Sequence, residues 1–276
     1  MDIIIYIAIF IIILLLFCFY NIIINKYITK YIIKYINNYT NKNNIECFEN
    51  NITFITKEDL LSNLLEDNDN YYKTFYKNDL KARNINNVSD YYEKIDASVA
   101  DADKETKEKV ILGIMQANKF LNNINYDYFD GKECNKLLWK IGFVKNKLYE
   151  SGLPHTRGDI IILSVEGVKY NTLKKLIKTL IHEKVHIYQK KFPEKMNIYI
   201  SFYKFKKIKK REEYDNIRAN PDLDNYIYQD NDNNTYKALY NKNVLSVEDI
   251  IYYPKNNQIY EHPFEKMAIE IENKYK

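Results

Sequence analysis

Two of the four histidines in the 276-residue chain lie four positions apart, in the run His182-Glu183-Lys184-Val185-His186. On a helix, side chains with this spacing project from the same face, so both imidazoles can reach one metal ion. The glutamate that follows the first histidine can then reach a water molecule on that ion. This H-E-x-x-H pattern predicts a Zn²⁺ site with His182 and His186 as ligands and Glu183 as the catalytic base.

The neighbouring residues predict the elements that position this motif. Residues 172–191 read as an amphipathic helix, because Thr172 is a favourable N-cap residue and apolar residues then recur at spacings of three and four up to Tyr188. Pro193 ends the segment, since proline cannot continue a helix. Upstream, residues 159–164 form a short apolar, β-branched run bounded by glycines, which predicts a buried strand.

A strand followed by a helix that carries H-E-x-x-H resembles the zinc metallopeptidases called zincins. Among these, the chain resembles the gluzincins, whose third ligand is a glutamate on a later helix, often within Pro-x-Glu-x-x-Ala. Residues 263–268 match that pattern, so the resemblance implies Glu265 as the third zinc ligand. The glycine and third histidine of the metzincin extension do not follow His186. The resemblance covers residues 135–275 of the chain.

Two residues compete for the third-ligand position, because His262 is also a good zinc ligand and lies three residues before Glu265. Pro263 suits the first position of a helix, which places His262 at the cap and Glu265 in the first turn. Ala268 then lies on the face of Glu265, one turn later, and is small enough to pack against the zinc helix. Glu270 is a weaker rival, because it points to another side of the helix. We therefore expect Glu265 to bind the metal.

The predicted reaction is hydrolysis of a peptide bond by zinc-activated water. Glu183 takes a proton from the water and later passes it to the leaving amine. A further side chain usually stabilises the oxyanion or supports a metal ligand, and the sequence does not choose among the candidates. These are His155, Arg157, Tyr260 and His262.

The predicted fold is α+β and zincin-like, mostly helical, with a small sheet next to the H-E-x-x-H helix and one transmembrane helix before it. Residues 131–276 form the predicted catalytic region, and residues 46–130 form a helical N-terminal lobe without recognisable chemistry. A helix is predicted over residues 104–121. Residues 218–222 form a turn that could fold over the active site, and a hairpin is predicted around residues 230–234.

The N-terminal residues predict a membrane anchor, because residues 3–24 are apolar, uncharged and long enough to cross a bilayer. They lack the basic start and the small residues of a cleaved signal peptide, so we expect residues 1–24 to be an uncleaved single-pass anchor. Residues 25–45 form a connector whose lysines all follow the span. Positive charge beside a membrane helix tends to stay cytoplasmic, so we expect the catalytic region to face the cytoplasm.

The composition limits the kinds of binding partner that the sequence predicts. A net charge of +4 over 276 residues gives no case for nucleic-acid binding, and three cysteines make no disulfide framework. The expected partners are a peptide or protein substrate and the membrane, and no oligomeric state is predicted.

Two alternatives to a metallopeptidase remain open. One is a catalytically silent zinc fold that serves as a membrane-tethered structural or interaction protein, and the other is a zinc hydrolase of a non-peptide amide. The intact Glu183 favours an enzyme over the silent fold, whereas nothing in the sequence separates the two enzymes.

Overall fold

A computed structural model describes residues 51–214, 216–255 and 260–276. The helices of these residues are α1 (Lys57–Glu66), α2 (Lys77–Ala82), α3 (Val88–Ser98), α4 (Lys104–Leu121), α5 (Gly131–Lys136), α6 (Val165–Tyr170), α7 (Leu173–Lys191), α8 (Pro193–Phe202) and α9 (Pro263–Glu272). The strands are β1 (Ile52–Phe54), β2 (Val99–Ala100), β3 (Asn125–Tyr126), β4 (Phe129–Asp130), β5 (Trp139–Val144), β6 (His155–Arg157), β7 (Ile160–Ser164), β8 (Lys206–Lys210), β9 (Tyr226–Gln229), β10 (Thr235–Tyr240) and β11 (Ile250–Tyr253).

The largest sheet has five strands in the order β1-β5-β7-β6, with β2 also paired to β5. Strands β1, β5 and β7 run parallel, while β6 is antiparallel to β7 and lies at the edge. The central strands are almost entirely buried, as expected for apolar runs that are covered on both faces. Because β1 and β2 also pair with β5, this sheet contains strands from both sides of residue 130, where the predicted N-terminal lobe and catalytic region meet.

Helix α7 carries the H-E-x-x-H motif and begins and ends as the sequence predicts. The Thr172 hydroxyl accepts a hydrogen bond from the Lys175 N–H at 3.2 Å, and the helix ends at Lys191. Helices α4 and α9 pack against it. A Cβ atom at Gly113 of α4 would lie 2.7 Å from the Leu180 side chain, so glycine permits the close approach of α4 and α7.

The prediction of a mostly helical fold with one small sheet is wrong. The described residues form three sheets, of five, four and two strands, and the four-stranded one has the order β11-β10-β9-β8. The hairpin predicted around residues 230–234 is present as β9 and β10. Strand β8 escaped detection because it is a lysine-rich run in which every residue is exposed, without the apolar alternation that marks a half-buried strand.

The predicted N-terminal transmembrane helix is likewise not part of the architecture that the structure shows. Among the residues described, none of the helices combines the length and the apolar character needed to cross a membrane. Residues 3–24, on which the prediction rests, and the connector at 25–45 lie outside the described residues.

Candidate metal centre

Helices α7 and α9 bring the three predicted ligands together. The Nε2 atoms of His182 and His186 are 3.0 Å apart, and the Glu265 Oε2 lies 3.3 Å from the first and 3.8 Å from the second. A tetrahedral Zn²⁺ with ligand atoms about 2.0–2.1 Å away keeps those atoms about 3.3–3.4 Å apart. The measured distances straddle that value, and two imidazoles with one carboxylate are a donor set that zinc takes in catalytic sites.

The start of α9 fixes the direction of Glu265. Pro263 occupies the first helical position and His262 the N-cap, as predicted. The His262 Nδ1 accepts a hydrogen bond from the Phe264 N–H at 3.2 Å, which stabilises the first turn. Ala268 is fully buried, and α9 packs closely on α7. Glu265 therefore faces the histidines from the first turn of α9.

A hydrogen-bond chain sets the tautomer of His186. The Gln189 amide nitrogen donates to the Phe264 carbonyl at 2.9 Å, so the amide oxygen faces His186. That oxygen lies 2.8 Å from His186 Nδ1, which must therefore carry the proton. The lone pair of Nε2 then points toward His182 and Glu265. Burial lowers the pKa of His186, which keeps the ring neutral and able to bind a metal.

The other two predicted ligands are each held by one further residue. His182 Nδ1 lies 3.2 Å from Glu272 Oε2, so the carboxylate accepts its proton and Nε2 faces the centre. Asn220 donates its amide hydrogen to Glu265 Oε1 at 2.8 Å, which leaves Oε2 for the histidines. Partners of this kind orient metal ligands and strengthen their binding.

Electrostatic coupling joins the ligands. Burial favours the neutral form of Glu265, but the hydrogen bond from His182 and the positive charges of His182 and Arg218 outweigh it and hold its pKa well below its usual range. Burial also opposes the charged form of His182, yet the carboxylates of Glu265 and Glu272 raise its pKa. The carboxylates of Glu265 and Glu272 thus stabilise positive charge at His182.

Glu183 lies at the wall of a cavity of about 300 Å³ that also exposes His182 and Glu265. Its side chain is buried, and its Oε2 finds no hydrogen-bond partner among the described residues. Burial raises the pKa of this carboxyl, and the negative charge of Asp222 raises it further. An unpartnered buried oxygen is costly, so this atom marks a position for a water molecule or a substrate donor.

Residues 218–222 form another wall of this cavity. The sequence had indicated that this turn could fold over the active site. Asp222 accepts hydrogen bonds from the Thr156 N–H at 2.7 Å and from its hydroxyl at 2.6 Å. Lys190, from the end of α7, donates to the carbonyls of Thr156 and Pro221. The segment is thus attached to both the edge strand and the motif helix.

Of the remaining predicted site residues, His155 lines the cavity and Arg157 does not. His155 Nδ1 donates to the Leu153 carbonyl at 2.9 Å, so its Nε2 accepts from the Tyr149 hydroxyl at 3.3 Å. Burial lowers the pKa of this ring. The Arg157 guanidinium is held by Asp67 and Asp69, each at 2.7 Å. The side chains of His155 and Arg157 therefore both make hydrogen bonds within the protein.

Tyr260 and His262 also lie away from the cavity lining. The Tyr260 ring stacks on Tyr236 with 5.7 Å between the ring centroids. The His262 Nε2 lies 3.1 Å from Asp224 Oδ1, so this ring joins the helix cap to the loop before β9. No hydrogen bond or ion pair found among the described residues joins either side chain to the three converging ligands.

The residues that sequence reasoning missed are Gln189, Asn220, Asp222 and Glu272. Gln189 and Glu272 carry a weak signal, because they lie three and seven residues after His186 and Glu265 and so share a helix face with them. Asn220 and Asp222 lie in the turn at residues 218–222 that the sequence predicts, but no pattern assigns either residue a role, because they reach the ligands and the edge strand only through tertiary folding.

Comparison of the chain with models of protein families, with curated proteins and with solved structures found no match. The resemblance to the zincins therefore rests on the sequence motifs alone.

Proposed function

We propose that the protein is a zinc-dependent peptidase in which His182, His186 and Glu265 hold the ion and Glu183 is the general base. One observation carries this proposal. Three zinc-type donors converge within bonding range of one point, and a buried glutamate with one unpartnered oxygen lines the same cavity as two of them, His182 and Glu265. A site that only stabilised the fold would gain nothing from the buried Glu183 oxygen.

Bound zinc would lower the pKa of a water molecule toward about 7 and polarise the substrate carbonyl. The protein's own contribution is proton transfer and orientation. Glu183 accepts the proton of the attacking water and delivers it to the leaving amine nitrogen. Gln189, Glu272 and Asn220 keep the ligand atoms directed at the centre, so little reorganisation is needed during the reaction.

The substitution Glu183→Gln tests the role of the base. It keeps the shape of the side chain but removes its basicity, so hydrolysis should fall by about 10²–10⁴-fold while the zinc content stays the same. Hydrolysis is measured by mass spectrometry on a mixture of peptides of two to twelve residues, and zinc by elemental analysis. Glu194→Gln, at an exposed site in the first turn of α8, is the matched control and should behave as wild type.

Two outcomes would contradict the proposal. Retained hydrolysis in the Glu183→Gln protein would exclude Glu183 as the base. A zinc-loaded wild-type protein that cleaves no peptide would exclude a peptidase and favour the catalytically silent zinc fold.

A further inference from the structure

The edge strand β6 has few main-chain hydrogen-bonding groups that a substrate could use. It pairs only with β7 among the described strands, and the register places His155 opposite Ile162 and Arg157 opposite Ile160. Between them, Thr156 directs its N–H and carbonyl away from β7. Both groups are already bonded, the N–H to Asp222 and the carbonyl to Lys190.

The residues on either side of the strand add no free donor. The Leu153 N–H donates to the Glu150 carbonyl at 3.0 Å, and Pro154 has no N–H. The Gly158 N–H lies 3.2 Å from Asp69 Oδ2. Every main-chain donor from residue 153 to residue 158 that does not face β7 is therefore satisfied within the protein or absent.

Residues 218–222, which cover the edge strand β6, are hydrogen-bonded to several parts of the fold. The Ala219 N–H donates to Asp79 Oδ1 at 2.9 Å, and the Arg218 N–H donates to the Ala238 carbonyl of β10 at 2.9 Å. The Asn220 side-chain amide donates a hydrogen bond to the Glu265 carboxylate. These anchors lie in three different parts of the fold, so moving the segment away would break all of them.

We infer that the site acts on short peptides and on the ends of chains, and not on the interior of an extended peptide. This inference rests on the proposed peptidase function. An extended peptide binds a sheet edge through alternating main-chain hydrogen bonds, and Asp222 and Lys190 occupy the groups it would need. A cavity of about 300 Å³ is also at the lower end of the range for small-molecule sites.

The inference is tested in two ways on the zinc-loaded full chain. The first is hydrolysis of free dipeptides to tetrapeptides and of a twelve-residue peptide, with cleavage positions mapped by mass spectrometry. The second is hydrogen exchange at the Thr156 amide, in wild type, Asp222→Asn and Asp222→Ala. The asparagine variant keeps an oxygen acceptor for this amide, whereas the alanine variant removes it and serves as the opened form.

We expect cleavage of the short peptides and, in the longer one, only of bonds within about two residues of an end. The Thr156 amide should exchange slowly in wild type and Asp222→Asn, and at least about tenfold faster in Asp222→Ala. Adding the twelve-residue peptide to the Glu183→Gln protein should leave exchange over residues 153–158 unchanged.

Cleavage in the middle of the twelve-residue peptide would overturn the inference, as would new protection of residues 153–158 when that peptide is added. Fast exchange of Thr156 in the wild type would also overturn it, since the edge would then be open. Failure of the proposed function is distinguishable, because it would appear as an absence of hydrolysis at every length, while the exchange of Thr156 would still show whether the edge is closed.

Discussion

Replacing Glu265 by alanine should remove most of the zinc affinity, whereas replacing His262 should not. Both are good zinc ligands in neighbouring positions, but only Glu265 faces the histidines, with its Oε2 3.3 Å from His182 Nε2. His262 instead caps α9 and bonds Asp224. The two substitutions therefore separate a ligand from a structural neighbour.

The expected size follows from typical zinc binding energies. Structural zinc sites with four ligands have apparent binding free energies of about 10–16 kcal/mol, or about 2.5–4 kcal/mol for each ligand. Loss of Glu265 should therefore weaken zinc binding about 10²–10³-fold. Asn220 also loses one of its two acceptors and keeps Glu261 as the other, which costs about 0.5–1.5 kcal/mol of fold stability. His262→Ala removes a helix cap and should lower stability by about 0.5–2 kcal/mol with little change in zinc affinity.

The assay is competition for zinc against a chromophoric chelator at pH 7.5, together with urea unfolding of each variant. The unfolding curve shows whether a loss of zinc reflects the ligand set or the fold. If His262→Ala lost zinc and Glu265→Ala retained it, the assignment of Glu265 would be wrong and a three-histidine site would replace it.

Two further predictions concern residues around the site. Glu272→Gln should weaken zinc binding about 10–100-fold in the same competition assay, because it weakens the acceptor that orients His182; unchanged affinity would show that Glu272 does not support the ligand. Burial raises the pKa of Glu150, but the charge and hydrogen bonds of Arg83 outweigh it and lower the pKa from 4.5 to about 2. This shift corresponds to a contribution on the order of 3 kcal/mol from the ionised Glu150 carboxylate to the stability of the fold above pH 4.5, and this contribution is lost as the pH falls toward 2. Glu150→Gln should remove that part of the pH dependence of urea unfolding, although it also lowers stability at neutral pH because Arg83 loses the nearer of its two carboxylate partners. An unchanged dependence on pH would show that Glu150 does not cause this part of the pH dependence.

The parts of the site that could be predicted are those encoded by local spacing. The interval of four residues places His182 and His186 on one face of α7, and the order of Pro263 and Glu265 defines the first turn of α9. Helix periodicity and capping carry this information within a few residues of chain. The structure agrees with both elements for that reason.

The parts that could not be predicted depend on contacts between distant segments. Asn220 reaches Glu265 across 45 positions, and Arg157 is engaged by Asp69 across 88 positions. No periodic pattern signals such pairs. The same limit explains why Arg157 remained a candidate site residue in the sequence although its charge is already paired in the fold.

The turn at residues 218–222, which forms one wall of the cavity, shows that a local pattern can predict an element without predicting its contacts. The turn at residues 218–222 was visible from its composition, but its attachment to Thr156 depends on Asp222, which lies 66 positions away. Whether such a turn closes a strand edge or leaves it open is decided by the packing of α7, β6 and α9 together.

The central claim is that His182, His186 and Glu265 form one zinc site, and anomalous diffraction at the zinc absorption edge from crystals grown with zinc tests it most directly. We predict one zinc ion about 2.0–2.1 Å from the Nε2 atoms of both histidines and from a carboxylate oxygen of Glu265. A zinc ion bound by other residues, or no zinc at this position in saturated crystals, would contradict the account.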